Sequence, residues 1–280
     1  MTIGLVVDSN AQLPPELVER FDVEVVPITV NVNGTDFAEG IDLDADAFYE
    51  FFADGVTPTV VTSQPSPGAF AAAYQRHADR GVKAILSVHV GSAFSGTVNS
   101  ARLASESIAV PVRIVDTETM SFGISCCLWS AAEAIADGAD LEQAAEIAEG
   151  VAGRVRSTFI LQALEFGAAG GRWEGRIPET SDGIAVMNSG PGDHFEVAGA
   201  GHSVDELCDV MAAQMTCGGA PMRAALCIAD AAVAPFWVGL EERLADRSDI
   251  VEIVKYRVGP SVGAHTGPGT AGGFWYPVDG

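Results

Sequence analysis

A chain of 280 residues with 48% hydrophobic content can bury a sizeable core, as one large domain or two modest ones. Its formal charge of -23, from 38 acidic and 15 basic residues, opposes nucleic acid, whose phosphates repel an acidic surface, and disfavours an anionic membrane for the same reason. Five cysteines, odd in number, with a vicinal pair at Cys126-Cys127 and no C-x-x-C spacing, encode neither a disulfide framework nor a zinc site, so no metal is expected and a reduced, cytoplasmic setting fits.

Short apolar runs alternate with helical patterns through the first half, the sequence form of a parallel sheet covered by crossover helices. Ile3 to Val7 is the first strand, and it starts at once, without the basic region and longer apolar stretch of a signal peptide. Pro14-Pro15 opens a helix, Val23 to Val32 is the second strand, and Asn33-Gly34 marks a hairpin-type turn. Asp44 caps a helix, and Thr59 to Val61 is a short third strand. Ser66 followed by Pro67 gives the next helix an N-cap and a first-turn proline, with Phe70, Ala73, Tyr74 and His77 on its core face. Lys83 to Val90 and Val112 to Val115 complete the strands of the first half.

Two helix patterns, Ser121 to Ala136 and Leu141 to Val155, meet at Gly138 and lead into a strand at Ser157 to Leu161, which puts the boundary between domains 1-157 and 158-280. Beyond it come a helical pattern at Leu164 to Ala169, Gly170-Gly-Arg172, an irregular stretch to Asp182, strands near Gly183 to Met187 and Phe195 to Val197, and a helix from Ser203. Strands at Ala224 to Ile228 and Ile250 to Arg257 flank a helix at Pro235 to Ala245, and Phe274-Trp-Tyr276 closes the chain. The most apolar later segment, Ala225 to Leu240, is broken by Asp230 and Pro235, so no stable membrane insertion is expected. The predicted fold is α/β in two domains: an N-terminal three-layer α/β/α domain with a mainly parallel sheet, then a C-terminal two-layer α/β domain with a mixed sheet.

Ligands of open parallel sheets bind at the carboxyl ends of strands, near helix N-termini. Those ends are polar here: Asp8-Ser9-Asn10, Thr62-Ser63-Gln64, the run Gly91 to Thr97 with Ser95-Gly96-Thr97, and Asp116-Thr-Glu-Thr119. Hydroxyls and backbone N-H groups converging there suit a small anion such as a carboxylate, although each residue alone is an ordinary cap or turn former. A serine between strand and helix can also be a nucleophile, so Ser95 supports a rival reading as a serine esterase with His89 or His265 as base and Asp116 as orienter, though Ala93-Phe-Ser-Gly-Thr97 is not a G-x-S-x-G elbow. Gly259 to Gly273 reads either as a glycine-rich connection between the last two strands or as a ligand-approaching loop in which His265 donates to an anion. Arg172 adds a cation, for the ligand or for one of the 38 acidic groups.

Thr62-Ser-Gln-Pro-Ser-Pro-Gly-Ala-Phe70, Ser95-Gly-Thr97 with Asn99-Ser-Ala101, Asp8-Ser9, Asp116 to Gly123, Gly170-Gly-Arg172 and His265-Thr-Gly-Pro-Gly269 together resemble the DegV family over about the whole chain. The resemblance implies a non-catalytic, two-domain α/β protein that needs no cofactor and binds one long-chain fatty acid between its domains. It further implies a lipid-binding subunit that presents the carboxylate to a separate ATP-dependent fatty acid kinase subunit. Carried over by motif, Thr62, Ser63, Ser95, Gly96, Thr97, His265 and Thr266 hold the carboxylate, and Arg172 makes a head-group or interdomain contact. The acyl chain would run in an apolar tunnel, with Phe70, Phe94, Phe122, Phe159, Leu161 and Leu164 as lining candidates that core packing claims equally.

Two segments depart from the family pattern. Trp173 to Asp182 replaces an apolar-rich stretch, and Glu196 to His202 carries Ala198 where a basic strand-to-helix segment would hold arginine. A carrier or sensor of fatty acid without a kinase partner is therefore an alternative, and a sugar- or triose-binding relative of dihydroxyacetone kinase domains is a third reading by fold analogy, which predicts a small polar pocket.

Overall fold

The computed structural model describes residues 2–163, 183–190 and 195–278. The helical pattern at 164–169, Arg172 and the segment 173–182 lie outside the described residues. Four parallel strands form the first sheet in the order β2 (Val23–Val26), β1 (Ile3–Asp8), β6 (Ala84–His89), β7 (Val112–Asp116). Their side chains alternate between faces, as the two-residue period of a strand dictates. Val6 and Ile85 point to one core with Phe70, Ala73 and Tyr74 of α3 (Pro67–Asp79) and Ala101 and Ala104 of α4 (Thr97–Ser105). Leu5, Val7, Leu86 and Val88 point to the other, against α5 (Phe122–Ala136) and α6 (Leu141–Ala152). Helices on both faces of a parallel sheet give the three layers.

The stripe Phe70, Ala73, Tyr74 and His77 is the buried face of α3, and Ser66 caps its start, accepting the Ala69 N-H at 3.2 Å. Asp44 likewise caps α2 (Ala45–Glu50) through the Ala47 N-H at 2.8 Å, and Pro15 opens α1 (Pro15–Phe21).

Two strand assignments are corrected. The run Val23 to Val32 is not one strand: it breaks at Pro27, which lacks an N-H for a ladder and fixes its φ, so β2 ends at Val26 and β3 (Thr29–Val32) starts a separate sheet. That sheet is antiparallel, in the order β4 (Thr35–Ala38), β3, β5 (Val60–Ser63), with Asn33 (φ 51°) and Gly34 (φ 87°) turning the β3–β4 hairpin. The third predicted strand therefore leaves the parallel sheet, and Thr62 and Ser63 lie within β5, Thr62 opposite Val30, rather than beyond its end.

The six-stranded second sheet is mixed, in the order β10 (Phe195–Gly201), β9 (Ile184–Ser189), β8 (Arg156–Ile160), β13 (Ala271–Pro277), β11 (Met222–Ile228), β12 (Ile250–Arg257). Only β11 and β12 pair in parallel. One face is covered by α7 (Val204–Gln214) and α8 (Pro235–Leu244), burying Leu207, Met211, Phe236 and Leu240 against Leu226 and Trp275. The opposite face meets α5: Ala225, Cys227, Tyr256 and Tyr276 belong to the same core as Phe122, Cys126 and Trp129. Phe122 stacks on Tyr256 at 4.7 Å, and buried Arg223 lies over the Trp129 ring at 4.8 Å while pairing with Glu133 at 2.7 Å.

The glycine-rich stretch after Arg257 is not simply a connection. It holds a helix, α9 (Pro260–Thr266), because Pro260 fits a first helical position and Gly267 (φ 69°) ends the helix where a side chain would be strained. All five cysteines are free thiols. Among the described residues no helix is long and apolar enough to cross a membrane, and no group of metal-binding side chains occurs.

Candidate functional site

A cavity of about 400 Å3 opens where β5, the start of α4 and α9 meet, within the size range of small-molecule sites. β5 contributes Thr62, Ser63 and, just beyond it, Gln64; the turn into α4 contributes Ser95 and Gly96; α9 contributes Ser261, His265 and Thr266. Ile28, Val90, Phe94, Met120, Phe195 and Val262 make its apolar wall. Of the lining candidates named from the resemblance, Phe94 reaches this wall, whereas Phe70 and Phe122 are core residues, Phe159 packs edge-on against Phe195 at 6.1 Å, and Leu164 lies outside the described residues.

The two halves touch directly across the cavity: Thr62 Oγ1 and His265 Nε2 are 3.2 Å apart, from residues 203 positions distant in sequence. Ser95 is set from behind by Thr97, whose hydroxyl lies 2.8 Å from Ser95 Oγ and whose N-H donates to it at 3.3 Å. Thr97 itself is fully buried and does not line the cavity, and the Thr266 hydroxyl donates to Val262 O at 3.3 Å within its own helix. Gly96 is the N-cap of α4, with no side-chain cap bond and no acidic residue in the first turn. The Thr97 N-H is taken by Ser95 Oγ, and the positive end of the helix dipole would face an anion with no acidic side chain in the first turn to oppose it. A Cβ on Gly96 would stand 2.6 Å from the Gln64 amide, so a side chain there would displace the Gln64 side chain from its present place. Among the described lining residues the only ionisable side chain is His265. The arrangement offers an anion neutral donors, one imidazole and a helix start, next to an apolar surface.

His89 is not a base for Ser95. Its Nδ1 lies 3.0 Å from Asp8 Oδ2 and its Nε2 lies 2.6 Å from Ser87 Oγ, which continues to Tyr74 OH at 2.8 Å, so both ring nitrogens are engaged in a buried chain. Asp116 instead accepts the N-H groups of Ser92 (3.0 Å) and Glu118 (3.2 Å) as a turn cap. Ser95, His89 and Asp116 thus do not assemble into a triad.

Behind the cavity stands a polar cluster of which the sequence singled out only Ser9 and Asn10. Asn10 and Ser261 face the cavity; Gln12 and Glu39 stand behind them. The Ser121 N-H donates to Asn10 Oδ1 at 3.0 Å, which turns the Asn10 amide nitrogen toward Ser261 Oγ at 3.3 Å. Glu39 is only 5% exposed, and burial pushes its carboxyl above the ordinary 4.5 against the opposing pull of hydrogen bonds from Ser9, Ser261 and Gln12. Asn10 carried a signal as part of a polar strand end; Glu39 and Gln12 had none beyond their polarity.

The model described as "Uncharacterised protein, DegV family" matches residues 2–186. This chain belongs to the DegV family. A DegV domain-containing protein of Streptomyces coelicolor is 31% identical over 280 residues, 96% of each chain. Two solved DegV structures superpose over nearly the whole length. A DegV family protein from Thermus thermophilus, described as binding fatty acid, is 29% identical with a TM-score of 0.86, over 99% of this chain and 100% of that one. DegV from Bacillus subtilis, described as a fatty acid binding protein, is 26% identical with a TM-score of 0.82 over the same shares. The two superpositions extend across both halves, so β5, α4 and α9 all lie inside the shared architecture.

Proposed function

We propose that this chain binds one long-chain fatty acid in the cavity, without catalysing a reaction itself. In this reading the carboxylate sits among Thr62, Ser63, Ser95, Gly96, His265 and Thr266, with Thr97 holding the Ser95 hydroxyl in place. The observation that carries it is the convergence of hydroxyls, a helix start and an imidazole on one side of a cavity whose other side is apolar. Burying an acyl chain contributes about 0.8 kcal/mol per methylene, so the apolar wall supplies affinity. The carboxylate must be hydrogen-bonded, because a buried charge without partners costs several kcal/mol. Neutral donors meet that need without a competing counter-ion, and the apolar wall is not what a site for a small sugar or triose would offer. The fatty acid binding described for the relatives from Thermus thermophilus and Bacillus subtilis supports the same reading.

The ligand lies between two domains that divide at 157/158, just after β8 begins, and the bound acid is presented to a separate ATP-dependent fatty acid kinase subunit in the cytoplasm. A carrier or sensor role without a kinase is the second reading. It is favoured by Ala198, which stands on β10, half-buried against the α7 side of the sheet, where the family pattern leads one to expect arginine. Native mass spectrometry of the purified protein, before and after addition of long-chain acids, tests the binding: no bound acid in either state would overturn it. Incubation with ATP and a DegV-partner kinase separates the two roles, since only the kinase-coupled one yields acyl phosphate.

A further inference from the structure

Apart from Phe195 of β10, the second half lines the cavity through a single short helix, α9, whose N-terminus is gripped by side chains of the first half. Ser261 N-H donates to Glu39 Oε1 at 2.8 Å, and Gly259 N-H donates to Gln12 Oε1. The Gln12 amide nitrogen bridges them, donating to Glu39 Oε1 and to Ser261 Oγ, each at 3.3 Å. The other Glu39 oxygen accepts the Ser9 hydroxyl, and Ser9 Oγ in turn accepts the Ile28 N-H at 2.9 Å. Glu39 cannot easily shift, since its own N-H donates to Ile28 O at 3.0 Å at the end of β4. Gln12 holds a left-handed backbone (φ 55°) that costs a non-glycine residue free energy and persists only where surrounding contacts enforce it. Close approach is built in from the helix side too. A Cβ on Gly259 would stand 2.6 Å from Gln12 Oε1 and 2.9 Å from Glu39 Oε1; one on Gly263 would stand 2.6 Å from Tyr49 OH.

Every bond named to the Glu39 carboxyl group uses it as an acceptor, a role that both carboxylate oxygens fill and an amide nitrogen cannot. Ser261, the residue gripped, is four positions before His265, so the two lie one above the other on the same face of α9, and both line the cavity. We propose that Glu39 is a positioning residue: by fixing the Ser261 end of α9, its carboxylate sets where the His265 ring stands relative to Thr62. The grip acts through the backbone of α9 and needs no contact between Glu39 and the ligand. Only the ligand arm of the test rests on the fatty acid reading.

The test uses the full chain with isotope-labelled histidine and no ligand, the His265 ring signal being assigned by its loss in His265→Ala. Glu39→Gln keeps size and shape but turns an amide nitrogen toward a donor, and is expected to move the His265 signal while the signals of His77 and His89 stay in place. A general loosening of the fold would move all three. A folded Glu39→Gln protein with an unchanged His265 signal overturns the proposal. If the Gln variant does not fold, Glu39→Asp, which keeps the charge and shortens the reach by one methylene, carries the same expectation and the same overturning result. In the ligand arm, oleate affinity is expected to fall about tenfold in Glu39→Gln, the scale of one lost hydrogen bond to a charged group. Unchanged affinity beside a shifted signal would overturn the functional consequence. A wild type that binds no oleate would refute the fatty acid reading and leave the ring signal to decide the position of His265.

Discussion

The two halves meet along one seam whose ends are built differently. At the α5 end the seam is filled: Phe122 stacks on Tyr256, Trp129 belongs to the same core, and Arg223 closes it with a cation over Trp129 and an ion pair to Glu133. At the α9 end it is hollow, polar on one side and apolar on the other, with Thr62 and His265 touching across a cavity and Glu39, Gln12 and Asn10 pinning the helix beside it. An apolar contact tolerates no gap without losing dispersion and transfer free energy, whereas polar groups at fixed positions can bound a space. The filled end therefore holds the halves together, and the hollow end is free to hold a ligand.

That contrast can be broken from either side. The largest effect is expected from Trp129→Ala, which empties the filled end and is expected to lower the unfolding free energy by about 3–5 kcal/mol, read by chemical denaturation. Arg223→Ala follows at about 3 kcal/mol, near the low end for breaking a buried pair because Arg20 still reaches Glu133 at 3.1 Å. Both variants, where folded, are expected to keep wild-type affinity for a long-chain acid; a loss of affinity parallel to the loss of stability would erase the division of labour. At the hollow end Thr62→Val and Ser95→Ala are expected to reverse the pattern. Stability stays within about 0.5 kcal/mol while calorimetric affinity falls by about 1.5–3 kcal/mol, the worth of a hydrogen bond to a charged group.

The smallest effect concerns Glu39 and pH. Its carboxyl is raised above 4.5 in the folded protein, chiefly by burial, so the folded state holds the proton more tightly than the unfolded one. The resulting stability is full below pH 4.5 and is lost as pH rises through the folded value. Wild type is accordingly expected to lose unfolding free energy above pH 4.5 relative to Glu39→Gln. Parallel pH profiles for the two proteins would mean that burial costs the carboxylate nothing.

What could be read in advance followed from how local each signal is. The α3 face of Phe70, Ala73, Tyr74 and His77 was legible because helix period and the Ser66-Pro67 start lie within one segment. The break at Pro27 was also written in the chain, but the apolar run around it masked the change of sheet. That β5 pairs antiparallel with β3 depends on a partner about thirty residues away, which a three-residue apolar run cannot specify. Gly259, Gly263 and Gly267 disguised α9 as a loop, although Pro260 and Gly267 are ordinary helix punctuation. Ser95 could be marked because it stands just before a helix start; Thr62 and Ser63 were marked as the end of a parallel strand, whereas they line the cavity from within antiparallel β5. The grip on α9 was not, since Glu39 and Ser261 are 222 residues apart and neither carries a local pattern.

The core that α5 shares with the second sheet has a consequence for heredity. Cys227, Tyr256 and Tyr276 fill space beside Phe122, Cys126 and Trp129, so a change of volume on one half alters the room left for the other. The halves are therefore not interchangeable modules. A chimera that joins the first half of this chain to the second half of a distant relative inherits mismatched surfaces at α5, and substitutions at these positions must arise in compensating pairs.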